Sequence, residues 1–126
     1  MNGQAPVGGM TNNTKPTAAR PFVAFEIALQ VIASLRPIVP VIRRENAELA
    51  RQIVGAASSV AANLAEGSGR EGADRRRFYR IAAGSAQETR AHLRVALTWG
   101  WVKAQDVERT VALLDRQVAV LWRLTH

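Results

Sequence analysis

From Leu49 to Leu64, and again from Phe78 to Ala96, apolar side chains return every three or four positions. Between these two runs stands a short glycine-rich corner, Glu66 to Gly72. That spacing keeps one greasy edge on each of two long helices, which must bury it against something else. A glycine corner this short folds the second helix back beside the first. An antiparallel helical pair is therefore the strongest constraint the sequence sets.

Two further runs extend the pattern. Phe22, Phe25, Leu29, Ile32 and Leu35 mark a helix over 21–36, opened by Pro21 and ended by Pro37 and Pro40. Val107, Val111, Leu114, Val118 and Leu121, with Trp122 beside them, mark another after Gly100. The middle helices read as 44–65, stopped at Gly67, and as a segment from Asp74, its N-cap, to Gly100. Pro37–Arg44 reads as a plain connector. No strand pattern of useful length intervenes. The expected fold is all-α, an antiparallel up-and-down four-helix bundle over 21–126, preceded by a flexible tail over 1–20. Trp99 and Trp101 are expected to close the end of its core.

Several function classes fall away. The chain has no cysteine, which removes thiol chemistry and disulfides and is compatible with a cytoplasmic location. The first twenty residues carry no apolar h-region, so no signal peptide is expected, and no run reaches membrane-spanning length, so no membrane partner is expected. Gly67, Gly69 and Gly72 satisfy G-x-G-x-x-G, with Glu88 21 residues after the first glycine. A dinucleotide fingerprint needs a strand before the glycines, and here a helix precedes them. His92 and His126 are too few and too far apart in sequence for a zinc set, and Ser58, Ser59 and Ser85 have no activating base beside them. The expectation is no enzyme activity, no metal and no cofactor.

Charge points elsewhere. The chain has 17 basic and 10 acidic residues, a formal net charge of +7. On a helical wheel with Phe78 at the origin, Arg76, Arg80, Gln87, Arg90 and Arg94 fall at about 120–200°, away from an apolar stripe of Phe78, Ile81, Ala82, Ser85, Thr89, Leu93 and Ala96. Arg75 and Arg77 crowd the same first turn, and Arg43 and Arg44 precede the second helix. Arginine forks suit phosphate oxygens, so these eight arginines are the candidate nucleic-acid contacts, reading backbone rather than bases. Asn63, Glu66, Gly67, Ser85 and Glu88 are read as structural: Glu66 sits unfavourably at a helix C-terminus and needs a partner in the following loop or helix.

Two stretches carry a family resemblance. SSVAANLAEGSGR at 58–70 is similar to an S-I-x-x-N-I-A-E-G segment, and RRFYRIAAGSAQETRAHL at 76–93 to F-x-R-F-x-x-I-A-x-G-S-x-x-E. Both resemble the helical proteins encoded in large-subunit rRNA intervening sequences, which are related to the accessory variability protein of diversity-generating retroelements. The resemblance implies a four-helix bundle that assembles as a homo-oligomer, commonly a homopentamer. The retroelement relatives bind RNA or DNA through a basic surface and also bind a reverse transcriptase. The function expected is a non-enzymatic, nucleic-acid-binding oligomer, in line with a reverse-transcriptase accessory factor. The alternative is a protein–protein adaptor without a nucleic-acid role.

Overall fold

The computed structural model describes residues 19–126, with side chains from Pro21 onward; the tail expected over 1–20 lies almost wholly outside the described residues. Among the described residues the architecture is all-α, with five helices: α1 (Ala19–Leu35), α2 (Val39–Glu45), α3 (Ala47–Ser68), α4 (Gly72–Trp99) and α5 (Ala104–Thr125). The expected four-helix up-and-down bundle is thus corrected, because the Pro37–Arg44 connector is itself largely helical. Pro40 lies in the first turn of α2, where a missing N–H leaves no hydrogen bond unmade. Ile38, Val39 and Ile42 of this short segment are buried, and it bends by 54° away from the axis of α1.

α3 and α4 make the most extensive contact, α4 also packs on α5, α1 bridges α3 and α5, and α2 lies against α3. The core has two zones. One gathers Ile27, Val31, Ile42, Ile53, Leu93 and Leu114 around α2. The other is built of smaller groups, with Ala24, Ala28, Ala82 and Ala86 around Val60, Leu64, Tyr79 and Leu121. Small side chains let the helix axes approach closely there. Between α3 and α4 the Ser59 and Ser85 hydroxyls meet at 2.8 Å. Between α1 and α5 the Thr110 hydroxyl donates to Ser34 Oγ at 2.9 Å. Partly buried hydroxyls thus satisfy each other across the two packing seams. No single helix among the described residues is long and apolar enough to cross a membrane.

Gly67 does not stop α3. It is buried inside the helix, which runs on to Ser68. A Cβ there would lie 2.6 Å from Tyr79 Cε1, so the missing side chain admits the tyrosine ring. Nor does Asp74 cap α4: the N-cap is Glu71, which makes no capping bond, and Asp74 lies inside the first turn. Gly100 does end α4 in the left-handed conformation, φ 79°, which glycine adopts without strain.

Candidate nucleic-acid interface

The corner between α3 and α4 is organised by Arg70. Its guanidinium donates to Glu66 Oε2 at 2.6 Å and to Asp74 Oδ2 at 2.9 Å. Glu66 thereby gains a partner in the loop that follows α3, offsetting its unfavourable place at the end of that helix. Arg77 reaches the other oxygen of Asp74 at 3.3 Å. Arg75 donates through Nε to the carbonyl of Arg70 at 2.7 Å. The Phe78 ring receives two guanidiniums, Arg77 at 4.4 Å and Arg70 at 5.1 Å from its centroid. The hydrogen bond from Arg70, more than the weaker one from Arg77, holds the Asp74 carboxyl below its ordinary range. Nearby, Asn63 Nδ2 donates to the Ser59 carbonyl at 2.8 Å and to Ser59 Oγ at 3.0 Å. It thereby braces the hydroxyl that meets Ser85 across the seam.

The inward stripe of α4 is Tyr79, Ala82, Ala86, Thr89, Leu93 and Ala96. It is rotated by about 45° from the centre of the stripe read in the sequence. Ile81 is exposed, and Tyr79, absent from the expected stripe, is buried. Burial pushes the Tyr79 hydroxyl upward in pKa, with Arg75 opposing the shift. That hydroxyl and Gln117 Oε1 are buried without a hydrogen-bond partner among the described residues. The tryptophan expectation holds for Trp101, which is half-buried against the core, but not for Trp99, which is 69% exposed and stacks on Trp101 with centroids 5.7 Å apart.

The rotation redistributes the arginines. Arg76, Arg80 and Arg94 are exposed and make no ion pair among the described residues. Arg76 and Arg94 stand about five turns apart on one line, so the band is about 27 Å long. Arg90 turns toward α5 and pairs with Asp115 at 3.2 Å. Glu88, an acid in the middle of the helix, pairs with His92 at 3.2 Å. Arg77 and Arg75 serve the corner just described.

Arg43 and Arg44 are exposed in the last turn of α2. The contacts of Ser59 with Ser85 and of Gly67 with Tyr79 fix α3 and α4 as antiparallel. Ile38 and Val41 share a surface depression with Trp101 and Val102, which puts α2 beside the C-terminal end of α4. The Arg43–Arg44 pair therefore lies toward the other end of the bundle from Arg76. The eight arginines form two separate groups rather than one patch.

Among the described residues no three of His, Asp and Glu gather to hold a metal ion. Sequence comparison then decides the family: residues 23–123 match the model of the 23S rRNA-intervening sequence protein. The chain belongs to that family. Its fold is similar to a crystal structure from Bacteroides thetaiotaomicron VPI-5482, described as a protein of unknown function from the S23 ribosomal protein family. The TM-score is 0.77 at 18% identity, covering 89% of this chain and 99% of that one. At that identity the likeness establishes the fold alone. A search of curated proteins gives no match.

Proposed function

We propose that this protein is a non-enzymatic helical scaffold that holds RNA or DNA by its backbone along the outer face of α4. One observation carries the reading: Arg76, Arg80 and Arg94 share one exposed band, while the acids on the same helix are engaged elsewhere. Asp74 is held by Arg70 and Arg77, and Glu88 faces His92. A chain of net charge +7 with such a band attracts polyanions by releasing their counterions. The band offers charge and forks but no recognition element aimed at base edges, so binding is backbone-led. Arg43 and Arg44 supply a second, separate anchor rather than an extension of the first.

The resemblance drawn from the sequence supports two finer elements of the proposal: assembly as a homo-oligomer, with a pentamer as the expected number, and service to a reverse transcriptase. Light scattering tests the first. Capture of a reverse transcriptase from the same genome, before and after nuclease treatment, tests the second. Fluorescence anisotropy with labelled single- and double-stranded RNA and DNA at two salt concentrations tests the binding itself. Absence of binding at low salt by assembled protein refutes it.

A second reading, a protein adaptor, is favoured by a different face. Ile81, Val95 and Trp99 of α4 are exposed apolar side chains at 40%, 43% and 69%. Partner capture that survives nuclease treatment, with no binding to nucleic acid alone, supports that reading over the first.

A further inference from the structure

A slot of about 340 Å³ lies where α1, α2 and α3 meet, on a different part of the surface from the arginine band of α4. Its floor is apolar, formed by Ile32, Leu35, Val39, Val54 and Ala57. Val54 is 44% exposed there, a branched aliphatic side chain left uncovered by the fold. Arg36 and Arg43 stand among its lining residues, and no acidic side chain does. Neither arginine makes an ion pair among the described residues. The nearby acid of α3, Glu48, is taken by Arg51 and Gln52.

An apolar floor with a few polar groups that fix orientation, at this volume, is the usual make-up of a small-molecule site. The two cations select the sign of the head group, and the floor asks for a tail. A nucleic-acid backbone supplies the charge but nothing to lie on Ile32, Val39 and Val54. We infer that this slot binds an anionic amphiphile, a carboxylate with a medium-length apolar chain, its head group on Arg36 and Arg43 and its chain along Val39 and Val54.

The head and tail make separable contributions. The guanidiniums form charge-assisted hydrogen bonds to the carboxylate. Each chain methylene that reaches the floor tightens binding about fourfold. The test is a titration of the full chain with sodium decanoate below its micelle concentration, followed by methyl NMR and calorimetry. Octanoate, decanol and acetate serve as shorter-chain, uncharged-head and tail-free comparisons. Saturable decanoate binding is expected, with the largest shifts at Ile32, Val39 and Val54, weaker binding of octanoate and decanol, and none of acetate.

Arg36→Gln with Arg43→Gln should weaken decanoate at least tenfold. Val54→Glu, a change at an exposed position, should abolish binding by placing a carboxylate in the slot. Arg76→Gln with Arg80→Gln should leave decanoate binding unchanged, which separates this site from the arginine band of α4; Arg43 is shared with the second nucleic-acid anchor. Decanoate binding that is non-saturable, or unaffected by both slot variants, overturns the inference.

Discussion

Replacing Gly67 by alanine should destabilise the fold, although the position is helical. Two effects oppose each other. Alanine is the better helix former, by about 1 kcal/mol. Against this, the new methyl would lie 2.6 Å and 2.8 Å from two carbons of the Tyr79 ring and 3.1 Å from Phe78 Cβ. Tyr79 is 4% exposed and belongs to the small-residue core zone, so its ring has little room to retreat. Overpacking of this kind costs about 1–3 kcal/mol and occasionally more. The clash is with a ring edge and a Cβ rather than the far end of a flexible chain, so the upper part of that range applies. The net expectation for Gly67→Ala is a loss of about 1–2 kcal/mol, or roughly 4–10 °C in Tm for a domain of this size.

Gly84 provides the contrast. It is an exposed residue of α4, and a Cβ there meets nothing within 4 Å. Gly84→Ala should therefore gain up to about 1 kcal/mol from propensity alone. Urea unfolding followed by far-UV circular dichroism, at one fixed protein concentration, measures both. A coupling test sharpens the argument: in a Tyr79→Ala background most of the cost of Gly67→Ala should vanish. If Gly67→Ala proves as stable as the parent, or if its cost persists in that background, the close-approach explanation is wrong.

Other outcomes follow from the same geometry. Tyr79→Phe should change stability by less than about 1 kcal/mol, because the buried hydroxyl has no hydrogen-bond partner to lose; urea unfolding reads this directly. Hydrogen bonds from Arg51 and then Gln52 lower Glu48 from 4.5 to about 2. Because its folded pKa is depressed, its stabilising contribution is full above 4.5 and is lost as pH falls through about 2. Carboxyl-carbon NMR should show that titration, and Arg51→Ala should return it toward 4.5. Arg90→Gln should weaken nucleic-acid binding less than Arg94→Gln, since Asp115 already engages Arg90; anisotropy under matched salt compares them.

The long helices were legible because their apolar spacing extends over several turns, and the SSVAANLAEG corner because helix, glycines and charge change together there. α2 was not. Pro37 and Pro40 read as breakers, whereas Pro40 opens a helix whose worth comes from burying Ile38, Val39 and Ile42. That burial is a tertiary property with no local signature.

The α4 stripe was found but turned too far toward Phe78. Phe78, Tyr79, Ala82 and Ala83 all fit a broad apolar sector, and which aromatic enters the core depends on the space left by Gly67 on the neighbouring helix. A glycine at the start of the corner, Gly67, was the available signal, and its reading as a helix stop concealed it. The same angular error placed Arg90 within the free band, although it faces α5. Trp99 illustrates the remaining gap: a large apolar residue at a helix end gives no sequence sign of whether it closes a core or stands in solvent.

The central claim is that Arg76, Arg80 and Arg94 act together on a phosphate backbone, and the salt dependence of binding tests it most directly. Affinity for a single-stranded oligonucleotide should be measured from low to moderate salt for the parent and for Arg76→Gln/Arg80→Gln/Arg94→Gln. Three lost phosphate contacts should lower the steepness of log K against log salt by about 2, with weaker binding at every salt concentration and an unchanged circular dichroism spectrum. A folded triple variant that keeps both the affinity and the slope of the parent would contradict the account.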